Sequence, residues 1–115
     1  MLFVCYPKCS TCQKARALLD AKAAVYTLRD IKTENPTADE LRAWQAKSGL
    51  PLKRFFNTSG LQYKALGLAA KLPAMSEDEQ FALLATDGML VKRPILVGED
   101  FVLVGFKQPA WEAAL

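Results

Sequence analysis

Two cysteines stand three positions apart near the start of the chain, in the run Cys9-Ser10-Thr11-Cys12. A thiolate is a nucleophile and a thiol is not, so the chemistry of such a pair depends on what ionises one member. A second thiol within reach can attack an adduct on the first, close a disulfide and release the bound partner. In that division of labour Cys9 is the nucleophile and Cys12 the resolving thiol. Two other readings of the pair stay open at this point. The cysteines could be inert core residues, or half of a zinc site shared by two chains.

Other chemistries are excluded by what the chain lacks. It contains no histidine, which removes Ser-His-Asp and Cys-His catalysis together with every His-ligated metal site. Three cysteines are too few to close a Cys-only zinc site within one chain, and the odd number does not resemble a secreted disulfide framework. The remaining one, Cys5, falls inside an apolar run, where a cysteine behaves as a small core hydrophobe. The net charge of +3 is too small to argue for direct nucleic-acid or membrane binding. Leu2-Phe3-Val4-Cys5-Tyr6 follows Met1 without the basic start of a signal peptide, and no apolar stretch approaches the ~20 residues that span a bilayer. A cytoplasmic protein is expected.

The elements that must position Cys9 can be read from periodicity. Leu2 to Tyr6 reads as a buried strand ended by Pro7, and a helix follows from about Ser10 to Lys22. Cys12, Ala15, Leu18 and Leu19 share its inner face, while Lys14, Arg16 and Asp20 point outward. Cys9 thus lies just before a helix start, where unpaired amides and the positive end of the dipole favour a thiolate, so its pKa is expected to be lowered. Lys8 and Lys14 add positive charge nearby. Val25 to Leu28 reads as a second strand, which completes a βαβ unit with parallel pairing.

The rest of the chain follows in the same way. Thr37 with Glu40, and Ser76 with Glu79, form capping boxes that open two helices, the first stopped by Gly49 and Pro51 and the second by Asp87-Gly88. Asn57-Thr58-Ser59-Gly60 is a loop, with a short helix expected around Leu61 to Leu66. Ile95 to Val97 and Phe101 to Val104 flank a Gly98-Glu99-Asp100 turn and read as a hairpin. Pro109 suits the first turn of a last helix carrying Trp111. The length of 115 residues fits one domain. Lys92-Arg93-Pro94-Ile95 opens the hairpin with a proline, which lacks the ladder donor and belongs at an edge or a special turn. Its X–Pro bond could be cis. By itself the segment is also explained as a strand start with a solvated basic pair.

Three stretches together resemble the arsenate reductase (ArsC) family, and more closely its Spx/MgsR-like branch, over essentially the whole length. They are Tyr6-Pro7-Lys8-Cys9-Ser10-Thr11-Cys12 with Lys14-Ala15-Arg16, Phe55-Phe56-Asn57-Thr58-Ser59-Gly60, and Lys92-Arg93-Pro94-Ile95. The resemblance implies a thioredoxin-like α/β fold with a mixed sheet: β-α-β, an inserted helical subdomain over about residues 37–88, then β-β-α. It also implies that Pro94 is cis and packs opposite the cysteine turn.

Family arsenate reductases attack arsenate with a cysteine at the place of Cys9, and glutaredoxin and glutathione resolve the adduct. Arginines hold the oxyanion with their planar charged fork, and Arg93 matches one of them. The match is incomplete. Cys12 replaces a serine, Gln13 replaces an arginine, and Gln80 occupies another arginine position. Lys53 or Arg54 covers the last one only approximately. The resemblance therefore implies a thiol–disulfide oxidoreductase with glutathione or another thiol as reductant and no bound cofactor. Its alternative is an Spx-like redox switch that binds the α subunit of RNA polymerase.

Overall fold

The computed structural model describes residues 1–115. Four strands, β1 (Leu2–Cys5), β2 (Thr27–Asp30), β3 (Ile95–Val97) and β4 (Val102–Val104), form one sheet in the order β2-β1-β3-β4. Six helices accompany it: α1 (Ser10–Ala21), α2 (Ala38–Ser48), α3 (Leu61–Ala65), α4 (Leu68–Lys71), α5 (Glu77–Leu84) and α6 (Gln108–Ala114). β1 pairs parallel with β2 and antiparallel with β3, and β3 pairs antiparallel with β4. The parallel pair requires a crossover, which α1 supplies. This is the mixed sheet of a thioredoxin-like fold, with β-α-β and β-β-α parts separated by helices.

Side chains alternate across a strand, so each face of the sheet buries its own set. Phe3, Cys5 and Leu96 face α1 and α6, and close a small core with Cys12, Ala15, Leu19 and Trp111. Val4, Ile95 and Val102 face the other way, into a larger core with Leu41, Trp44 and Phe81 from the intervening helices and Phe55 and Phe56 from the segment between α2 and α3. Trp111 also donates its indole N–H to the Gly105 carbonyl at 3.0 Å, which fixes α6 against the end of β4. No helix is long and apolar enough to cross a membrane.

Both capping boxes form as their sequences require. Thr37 and Ser76 accept from the amides of Glu40 and Glu79, whose carboxylates accept from the cap amides in return. Gly49 ends α2 in the left-handed conformation at φ +68°. Gly67, at φ +63°, likewise breaks α3 from α4. Gly88 serves a different purpose. A Cβ there would stand 1.7 Å from the Ile31 carbonyl oxygen, so only glycine lets the segment leading to Arg93 lie against the chain leaving β2.

Three strands differ in their bounds from the sequence expectation, the first of them ending at Cys5 and not at Tyr6. The second strand is Thr27–Asp30, not Val25–Leu28, and Val25 is 86% exposed. β2 is an edge strand with one neighbour, and a polar tie anchors it where the expectation looked for an apolar run. Arg29 donates to both carboxylate oxygens of Glu40, at 2.6 and 2.9 Å, and its guanidinium lies 6.0 Å from the Trp44 ring centroid. Phe101 belongs to the hairpin turn and not to β4. Its ring covers Gly98, where a Cβ would meet it at 2.2 Å.

Candidate active site

The turn from β1 to α1 is short and tied at both ends. The Cys9 amide donates to the Tyr6 carbonyl at 2.9 Å, and the Cys9 carbonyl accepts the first helical hydrogen bond, from the Gln13 amide at 3.0 Å. Cys9 is itself the N-cap residue, in extended conformation at φ −83° and ψ 124°, and its side chain makes no capping bond. The amides of Ser10, Thr11 and Cys12 donate to no backbone acceptor. A half-buried sulfur therefore sits at the open, positive end of a 12-residue helix.

Behind it the other two thiols are enclosed. Cys12 is 1% exposed and Cys5 is 4% exposed, and all three cysteines are free. The Cys12 side chain packs in one cluster with Cys5, with Cys9 against it, and its Sγ accepts the Tyr6 amide at 3.4 Å. Its hydrogen bond with Cys5 and its burial push the Cys12 thiol far above the ordinary range. The same contact, with Cys5 as acceptor, lowers Cys5 against the opposing effect of burial. The sequence reading treated Cys5 as a core hydrophobe only. Buried it is, but strand parity was the signal for more: Cys5 shares the face of Phe3, and that face meets α1.

Arg93 reaches the cysteine turn through Tyr6. Its guanidinium carbon lies 5.2 Å from the Tyr6 ring centroid, and Nη1 contacts the Met89 sulfur at 4.0 Å. Its Nε is buried without a hydrogen-bond partner, and neither of the chain's two ion pairs includes it. The Arg93–Pro94 peptide bond is cis. Arg93 lines an open cleft of about 470 Å³ with Asn57, Ser59, Gly60, Leu61, Gln62 and Met89. An unpaired cation among amide and hydroxyl groups is a setting for a carboxylate or an oxyanion. The loop Asn57–Gly60, to which the sequence reading gave no role beyond its motif, supplies half of that lining.

Other residues considered for an oxyanion lie elsewhere. Gln80 spends its amide N–H groups on the carbonyls of Leu72 and Met75, at 3.4 and 3.2 Å, tying α5 to the preceding turn. Gln13 donates to the Pro7 carbonyl at 3.1 Å and braces the cysteine turn. Lys53 and Arg54 line a separate basic cleft with Lys92, Phe56 and Thr58. Arg93 is thus the one arginine or lysine in its cleft. Lys8 and Lys14 are exposed and form no ion pair, and Lys14 borders a shallow hollow with Phe106 and Gln108.

The model of the ArsC family matches residues 5–114. The chain belongs to the ArsC family. An ArsC family related protein from Bacteroides fragilis superposes with a TM-score of 0.95 at 60% identity, covering 97% of this chain and 94% of that one. A possible arsenate reductase from Streptococcus mutans follows with a TM-score of 0.90 at 49% identity, over 99% of this chain and 97% of the other. The uncharacterized protein YusI of Bacillus subtilis is 48% identical over 97% of this chain and 95% of its own length. More distant ArsC relatives include the regulatory protein MgsR of Bacillus subtilis and the global transcriptional regulator Spx of Staphylococcus saprophyticus. They are 27% and 26% identical over 92% and 89% of this chain, and over 82% and 76% of their own lengths.

Proposed function

We propose that this ArsC-family chain is a thiol–disulfide oxidoreductase in which Cys9 attacks and Cys12 resolves. One observation carries the reading: a half-buried cysteine at the open end of α1 packs against the cluster that holds the buried Cys12, one turn along the same helix. The Cys9 thiolate attacks one sulfur of an oxidised partner, expelling the other as a thiolate and leaving a mixed disulfide. Cys12 then attacks Cys9 Sγ, the partner departs with the proton that Cys12 gives up, and a Cys9–Cys12 disulfide remains. Two electrons from glutathione or a small redox protein return both thiols. Arg93 holds a carboxylate or oxyanion of the partner in its cleft, with Lys8 and Lys14 adding to the positive field. One arginine in that cleft supports a disulfide or a peptide carboxylate as ligand better than arsenate, which the family's fuller arginine set suits.

The test is trapping in cell lysate with Cys12→Ser, followed by identification of what is joined to Cys9. Glutathione or small redox proteins are expected. A Cys12→Ser protein that forms no mixed disulfide, where Cys9→Ser also changes nothing, contradicts the reading.

A second reading draws support from the regulators Spx and MgsR among the relatives. In it the same disulfide switches affinity for the RNA polymerase α subunit. Retention of that subunit by only one redox state of the chain would favour it, and equal loss in both states would remove it.

A further inference from the structure

The sheet ends on β4, which has β3 on one side and no strand on the other. The Gly98 amide donates to the Phe101 carbonyl and the Gly105 amide to the Pro94 carbonyl, both at 2.8 Å, and Leu96 lies opposite Leu103 between them. Bonding alternates along an antiparallel ladder, so the amides and carbonyls of Val102 and Val104 point away from β3. No backbone group elsewhere in the chain bonds to them. An edge of this kind is a template for another extended chain.

The edge is also recessed and positively charged. Leu50 and Arg54 stand on one side of it, and Lys107 and Ala110 on the other, around a groove of about 180 Å³ that β4 lines from Val102 to Gly105. Arg54 also borders the cleft of about 320 Å³ that holds Lys53 and Lys92. Lys92 reaches the end of β4, since a Cβ on Gly105 would meet its Cε at 3.3 Å. None of these four cations belongs to an ion pair, and no acidic residue lines either hollow. The hairpin's own acids, Glu99 and Asp100, stand in the turn at the other end of β4. On the opposite edge of the sheet, by contrast, Arg29 of β2 is neutralised by Glu40.

We infer that the β4 edge is a docking site for an acidic peptide segment, which adds to the sheet as a fifth strand. Val102 and Val104 supply main-chain hydrogen bonds, which any sequence can use. Carboxylates on the added strand meet Arg54 and Lys107, with Lys92 and Lys53 beyond the Val104 end, and this charge selects the sequence. The walls admit a single extended chain more readily than a second copy. Each copy's β4 lies in its own groove, and two recessed edges do not meet. The groove shares no residue with the Arg93 cleft, so the inference stands apart from the thiol cycle.

Titration of the isotope-labelled, reduced chain with acetyl-Glu-Val-Glu-Val-Glu-amide tests this by NMR. The Val102 and Val104 amides should shift, and at saturation their hydrogen exchange should slow by about tenfold or more. Arg54→Gln combined with Lys107→Gln should weaken binding by about fivefold or more. The same peptide N-methylated throughout keeps its charge but cannot donate, and should also bind about fivefold or more weakly. Equal binding of the N-methylated peptide, or of one with lysine in place of glutamate, overturns the inference. So does the absence of any shift at Val102 and Val104. Protection of these amides that grows with protein concentration, without peptide, would assign the edge to a second copy instead. A stronger response to a single-stranded oligonucleotide would assign the groove to nucleic acid, and either result overturns the peptide site.

Discussion

The guanidinium of Arg93 lies over the ring of Tyr6, 5.2 Å from its centroid, while the Tyr6 amide donates to Cys12 Sγ at 3.4 Å. One aromatic residue thus joins the only unpaired cation of a polar cleft to the cysteine turn. A cation held over an aromatic face stays charged and oriented without a carboxylate to neutralise it. It remains available for an anion that arrives with a partner.

Arg93→Lys should separate charged from neutral partners. Lysine keeps the charge but loses the planar fork, and a hydrogen bond to a charged group contributes about 1.5–3 kcal/mol. We expect kcat/KM for glutathione disulfide to fall by about tenfold or more, within that range. Turnover of a small uncharged disulfide should change little. Steady-state kinetics with both substrates checks this, and an equal loss on both would place Arg93 in the chemistry of Cys9 instead.

Resolution should be limited by the proton on Cys12. Its contact with Cys5 and its burial hold it as a thiol well above the ordinary range. A raised value means the reactive anion is scarce throughout the neutral range and grows as pH rises. Release of a preformed mixed disulfide on Cys9 should therefore accelerate by close to tenfold per pH unit, with no plateau near neutrality. Stopped-flow release of a chromophoric thiol measures it, and a plateau below pH ~8 would contradict it.

The edge strand should carry its own pH dependence. Arg29 holds the Glu40 carboxyl down to about 2, with backbone bonds from the capping box assisting. Since the folded value lies below the unfolded one, the stabilisation is complete above about pH 5 and is lost as pH falls toward 2. The Glu40 side chain is 34% exposed, so screening leaves a contribution of about 1 kcal/mol. In Glu40→Gln, which can still accept from the Thr37 amide, melting temperature should drop at neutral pH and the gap to wild type should close in acid. A constant gap at all pH values would contradict the assignment.

What could be read from the chain divides along the range of the forces involved. The capping boxes at Thr37 and Ser76 and the stop at Gly49 are local, and each forms where its residues stand. The helix after Cys9 is local too. The start of β2 is not, because it depends on pairing Leu2 with Thr27 and on an ion pair between Arg29 and Glu40 in different elements. Gln80 was aligned with an oxyanion arginine by position alone, and its fate was decided by two carbonyls that only the folded turn brings near. The partnership of Cys5 with Cys12 needed both strand parity and the packing of α1.

The central claim, that α1 arms Cys9 and encloses the other two thiols, is tested most directly by site-resolved alkylation of the reduced protein near neutral pH. Each cysteine is labelled with iodoacetamide in the folded chain and in denaturant, and the rates are read by mass spectrometry. Folding should speed labelling of Cys9 and slow that of Cys5 and Cys12, by about a hundredfold for those two sealed residues. A Cys9 that reacts no faster folded than unfolded, or a Cys12 that is labelled first, would contradict the account.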